Sequence, residues 1–152
     1  MVEIPMPDPL TTARLQCLNK FLEAIYGQPR RLSDILRSQH FTDDEVTILK
    51  KEHLNAYLAA FIAGLQAILE EMEDQRLKGI ITCRYGLDNG QRMIFQHIGD
   101  IYGVSRERIR QLHNKAVRKL RNPKKKERLE RLASNIASTI LYEHGHLTFR
   151  QR

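Results

Sequence analysis

Arg106, Glu107, Arg110, Gln111, Asn114 and Arg118 recur at three- and four-residue spacing. A helix through them carries all six on one stripe. Their chemistry matches the edges of base pairs. Arginine bonds guanine with two N–H groups, Gln and Asn suit adenine, and a carboxylate accepts from cytosine. A helix with such a stripe fits the major groove of duplex DNA. The alternative is an ordinary solvated surface, because polar helix faces are common.

A reading helix needs a second helix behind it. Val104, Ile109, Leu112, Ala116 and Leu120 form its inward stripe, and Phe95, Ile98, Ile101 and Tyr102 mark the helix before it. Gly103-Val104-Ser105 makes the turn, so residues 94–120 read as a helix-turn-helix. Gly99 lets the helices approach, Gly103 permits the sharp turn and Ser105 caps the second helix. Upstream, Asp8-Pro9 opens a first helix that Gly27-Gln28-Pro29 stops. Ser33 caps a short helix over 34–39. Thr42 and Glu45 form a capping box ahead of one long apolar pattern from Val46 to Leu69, which breaks near Glu70–Gln75. Gln75–Arg84 is helical, residues 85–90 turn, and Asn122-Pro123 ends the reading helix. Leu129, Leu132, Ile136 and Ile140 mark a last amphipathic helix over 124–142, before a frayed tail. No strand pattern stands out, so the fold class is all-α.

The chain has 152 residues, 41% apolar and 28% charged, which fits a globular protein of modest core. The net charge of +7 is unevenly placed. Residues 1–75 hold 7 Lys/Arg against 12 Asp/Glu, whereas residues 76–131 hold 16 against 5. The basic segment is an electrostatic footprint suited to nucleic acid. Three segments are expected: an acidic helical interaction lobe over 1–70, a DNA-binding domain over 71–123, and a C-terminal amphipathic helix and tail over 124–152. No apolar run approaches the roughly 18 residues of a membrane span. The N-terminus lacks the pattern of a signal peptide. Cys17 and Cys83 read as reduced core thiols of a cytoplasmic, nucleoid-associated protein. No phosphate loop or hydrolase motif occurs, so neither catalysis nor a cofactor is expected. Glu143, His144 and His146 hint at a metal tract, but their spacing and position favour a frayed tail. Lys124, Lys125 and Lys126 open a helix whose dipole disfavours them, which hints at an outside partner.

The stretch Arg84-Tyr-Gly-Leu-Asp-Asn-Gly, followed by Ile98-Gly-Asp-Ile-Tyr-Gly-Val-Ser-Arg-Glu-Arg-Ile-Arg-Gln-Leu and Lys115-Ala-Val-Arg-Lys-Leu-Arg-Asn-Pro, closely resembles region 4 of the primary sigma-70-type bacterial sigma factors. The resemblance covers about residues 70–123. It implies a module that reads the −35 promoter element and docks on the β flap of RNA polymerase. By that resemblance Arg106, Glu107, Arg110 and Gln111 read bases, and Asn114 adds a contact that the family lacks. Arg84, Arg92, Ser105 and Lys115 would meet phosphates. Arg118 and Arg121 match positions that can meet an activator protein.

The family often opens the first helix of the motif with Thr-Leu-Glu-Glu. Here that stretch is Ile94-Phe95-Gln96-His97, which loses the Thr cap and two acids. Residues 1–70 do not resemble region 2, which a complete sigma factor also carries. The reading is therefore a transcription regulator with a region 4-like module, an acidic helical lobe and a C-terminal amphipathic helix. Its partners would be double-stranded promoter DNA, core RNA polymerase, and a sigma factor or second chain supplying region 2. Two alternatives stay open: a dimeric helix-turn-helix repressor independent of polymerase, and a region 4 mimic that displaces the resident sigma from the flap.

Overall fold

In the computed structural model, residues 9–146 are described, and all regular structure among them is helical. Helices α1 (Pro9–Tyr26), α2 (Leu32–Ser38), α3 (Asp43–Glu52) and α4 (Leu54–Glu70) precede α5 (Gln75–Tyr85), α6 (Phe95–Tyr102), α7 (Arg106–Leu120) and α8 (Pro123–Glu143). The expected cap at Asp8, the N-terminal arm and the last residues of the tail lie outside the described residues.

Local chemistry sets most boundaries. The Thr42 hydroxyl accepts from Glu45 N–H at 3.1 Å, and the Glu45 carboxylate accepts from Thr42 N–H at 2.8 Å. This closes the expected capping box, a feature worth about 1 kcal/mol. Asp74 caps α5 and Asn122 caps α8, whose first residue is Pro123. Two expectations change. The cap of α2 is not Ser33: the Asp34 carboxylate accepts from Arg31 N–H at 2.9 Å, so Arg31 is the N-cap. The long pattern from Val46 to Leu69 is two helices, not one, broken at His53 with φ −132° and ψ 15°. No Gly or Pro marks that break. It lets α3 and α4 each reach the core at its own angle.

The helices share one core. Phe21, Tyr57, Phe61, Leu65, Leu77, Ile80, Ile109, Leu120, Leu129 and Leu141 all belong to the same buried cluster. Each large side chain contributes roughly 1.5–3 kcal/mol by leaving water. Phe21 of α1 meets Tyr85 of α5 edge-on, with ring centroids 5.6 Å apart. Tyr57 of α4 donates its buried hydroxyl to Ala133 O of α8 at 2.9 Å. Helix α8 lies along α4 so closely that a Cβ on Gly64 would come within 2.6 Å of Leu132 Cδ1. Part of the apolar face of Leu54–Leu69 is thus covered by α8 of the same chain. The boundary expected at 70/71 falls at the end of α4 and that at 123/124 one residue inside α8, and the packing is continuous across both.

The basic start of α8 also has internal partners. Lys125 donates to Glu71 Oε2 at 2.9 Å, Arg128 bonds the same oxygen, and Lys126 sits 5.3 Å from the Tyr26 ring centroid. These contacts offset the unfavourable helix dipole at Lys125 and Lys126.

Candidate nucleic-acid interface

The helix-turn-helix forms as its residues require. Ile98 is fully buried beneath α7, and Ile109, Leu112, Ala116, Val117 and Leu120 face inward. Two glycines act differently. A Cβ on Gly99 would lie 2.6 Å from Val104 O, so glycine is needed there for space. Gly103 has open surroundings but a φ of +68°, so glycine is needed there for conformation. Ser105 caps α7 by accepting from Arg108 N–H at 3.1 Å. Helix α6 starts at Ile94 without a side-chain cap, as the loss of the Thr implies.

The stripe of α7 is outside. Arg106, Glu107, Arg110, Gln111, Asn114, Lys115 and Arg118 are all exposed. Their pairings are specific. Arg110 clasps Glu107 with two hydrogen bonds, Nη2 to Oε1 at 2.6 Å and Nε to Oε2 at 3.0 Å. That clasp holds the Glu107 carboxyl below its ordinary range and raises the Arg110 guanidinium. It leaves the Nη1 side of Arg110 free to donate outward. Gln111 Oε1 accepts from Arg108 at 3.4 Å.

Behind Asn114 lies a contact that the sequence pattern did not reveal. His113 is half-buried between Tyr85 and Phe95, with ring centroids 5.7 Å and 5.2 Å away. Its Nε2 meets the Tyr85 hydroxyl at 2.7 Å and its Nδ1 meets Asn114 Oδ1 at 3.1 Å. An amide oxygen only accepts, so Nδ1 carries the proton and Nε2 accepts from the tyrosine. Burial pushes the imidazole pKa down, which favours this neutral form. The Asn114 amide nitrogen is left to donate outward.

The other expected contacts are spread around this helix. Arg84 is half-buried, lies 4.0 Å over the Phe95 ring and donates to Met93 O at 3.2 Å. Arg92 is exposed, and both arginines line one open cleft with Lys20 and Ile94. Lys115 is exposed near Asp74, whose carboxyl is held low chiefly by its bonds to Arg76. Arg121 is exposed, and its Nε and Nη2 donate to Ala24 O at 3.2 and 2.9 Å, tying the end of α7 to the end of α1. Arg118 is exposed.

Residues 74–122 match the family described as Sigma-70, region 4. Region 4 is a non-enzymatic, DNA-binding helix-turn-helix domain of transcription initiation factors. The match begins at the α5 cap and ends at the α8 cap, so it contains α5, α6 and α7. The chain is 36% identical over 85 residues to the RNA polymerase sigma factor SigA of a Bacillus species, covering 52% of this chain and 22% of that protein. It is 39% identical over 74 residues to SigA of Listeria monocytogenes, covering 45% of this chain and 20% of that protein. The chain thus spans about a fifth of the length of these curated relatives. Among the described residues no helix is long and apolar enough to cross a membrane.

Proposed function

We propose that this chain regulates bacterial transcription initiation by placing a region 4 module on −35-type promoter DNA beside RNA polymerase. The observation that carries the reading is the exposed stripe of α7 inside a segment that matches region 4. In this reading Arg106, Glu107, Arg110 and Gln111 face base edges, with Asn114 at the rim donating its amide. Ser105, Lys115 and Arg92 contact phosphates, and Arg84 supports them from over Phe95. The Glu107–Arg110 clasp presents both side chains already ordered, which lowers the entropy lost on binding.

Arg118 is the exposed candidate for an activator or polymerase contact. Arg121 supports it by fixing the end of α7 to α1. The acidic segment 1–70, which phosphate would repel, stays off the duplex and offers a protein-facing surface. Core RNA polymerase through its β flap is the proposed partner, with a sigma factor or second chain supplying region 2.

Two measurements test this reading together. The full chain should bind a −35-type duplex more tightly than its scrambled version, and should be retained by immobilised core polymerase. Equal affinity for both duplexes, or retention only when DNA is absent, would overturn it.

A further inference from the structure

Glu52, His53 and His146 meet where the end of α8 packs against the break between α3 and α4. His53 is both the C-cap of α3 and the N-cap of α4. The break turns its ring onto α8, 4.2 Å from the His144 ring and 5.7 Å from the His146 ring. His146 is delivered by the turn that closes α8. Gly145 N–H bonds Tyr142 O at 3.1 Å and His146 N–H bonds Leu141 O at 2.8 Å, the two bonds of a Schellman motif. The tail expected to fray is therefore folded back through His146.

The donor atoms converge. Glu52 Oε2 lies 3.8 Å from His53 Nε2 and 3.4 Å from His146 Nε2, and the three ligand atoms all lie within 4.8 Å of one another. His53 Nε2 is buried without a hydrogen-bond partner among the described residues. Burying such an atom unpaired is costly, and an ion would satisfy it. His144 stands beside them. Its Nδ1 donates to Ile140 O at 2.9 Å, which leaves its Nε2 lone pair free.

We propose that Glu52, His53 and His146 form a divalent transition-metal site, suited to zinc, that clamps the end of α8 to the α3–α4 break. Two imidazoles and a carboxylate are zinc ligands, and the set leaves a fourth position for water or His144. Ligand atoms around a tetrahedral zinc at 2.0–2.1 Å sit about 3.3 Å apart. The Glu52–His146 pair already has that spacing, and the Glu52–His53 pair needs only a small side-chain closure. Magnesium and calcium demand oxygen ligands and are not suited. The site shares no residue with the α7 stripe.

The full chain should be titrated with zinc chloride by calorimetry, and its thermal midpoint followed with zinc and then with a chelator. The expected result is saturable binding of one ion per chain, a raised midpoint and reversal by the chelator. H53Q and H146Q should each weaken binding at least tenfold, in line with loss of a ligand. H146Q lies outside the core, so circular dichroism should show an unchanged fold and keep the test valid if H53Q misfolds. The double variant H40Q/H97Q, at exposed histidines elsewhere, should bind as the unaltered chain does. Absence of saturable binding, equal binding of magnesium, or undiminished binding by H146Q would overturn the proposal.

Discussion

Helices α4 and α7 each bury one apolar stripe, yet they differ in what they leave outside. Helix α7 exposes Arg106, Glu107, Arg110, Gln111, Asn114, Lys115 and Arg118, a face made of donors and charge. Helix α4 exposes Asn55, Ala56, Ala59, Ala60, Ala63 and Ala67, a face mostly of methyl groups with one charge, Glu70, at its end. Their buried sides are alike in kind: Leu58, Phe61 and Leu65 in one, Ile109, Leu112 and Leu120 in the other. The contrast separates two jobs that a single amphipathic pattern conceals. One helix exists to be covered by α8, and the other is held by its neighbours so that its far side stays free.

The strongest way to break this comparison is to remove α4 and its companions. A fragment starting near residue 68 loses Tyr57, Phe61, Leu65 and the Phe21 edge on Tyr85, leaving Leu129, Ala133 and Leu141 uncovered. It should show no cooperative thermal transition by circular dichroism. A fragment that melts cooperatively and keeps its DNA affinity would mean that α4 supports only its own lobe.

The charged face is tested next by salt. With about five to seven phosphates contacted, the slope of log affinity against log salt should be near −5. A flat response would remove the electrostatic meaning of the basic segment.

Single residues on α7 should then divide by role. Arg110→Ala should relax discrimination at one guanine and cost about 1–3 kcal/mol on the matched site. Lys115→Ala should weaken matched and scrambled sites equally. If the two variants behave alike in a competition assay, the division between base and phosphate contacts fails.

The smallest effect sharpens how the stripe is supported. Burial holds the His113 pKa below its ordinary 6.5, so the unfolded chain binds more protons than the folded one on acidification. Stability is therefore full above pH 6.5 and declines as the pH falls below it. Denaturation midpoints taken from pH 7.5 to 5.5 should show that decline, and His113→Gln should reduce it. An unchanged slope in the variant would assign the acid sensitivity elsewhere.

The helix-turn-helix was legible because its cues are local. Gly99, Gly103 and Ser105 sit where a tight helical corner demands them, and the residues at both helix ends agree with the structure. The all-helical class was legible for the same reason, from periodicity and caps. The break at His53 was not, because no Gly, Pro or cap residue announces it and only the packing of α3 and α4 requires it. The bond of Arg121 to Ala24 was hidden too: a guanidinium in a basic run looks the same whether its acceptor lies outside the protein or 97 residues earlier in the chain. His113 carries no local cue to its role. Its link to Tyr85 depends on a neighbouring helix that linear spacing does not locate.

Helix α8 can also be regarded as a lever. Its 21 residues make a rod about 31 Å long, hinged at one end by the Asn122 cap next to α7. Leu132 rests on Gly64 near the middle of that rod, where an added Cβ would have to push the leucine methyls aside. Contact that tight serves as a fulcrum. A tilt of one degree about it moves each end by about a quarter of an ångström in opposite directions. About that contact the His53 end and the Asn122 end of α8 lie on opposite arms, so any tilt would displace them in opposite directions.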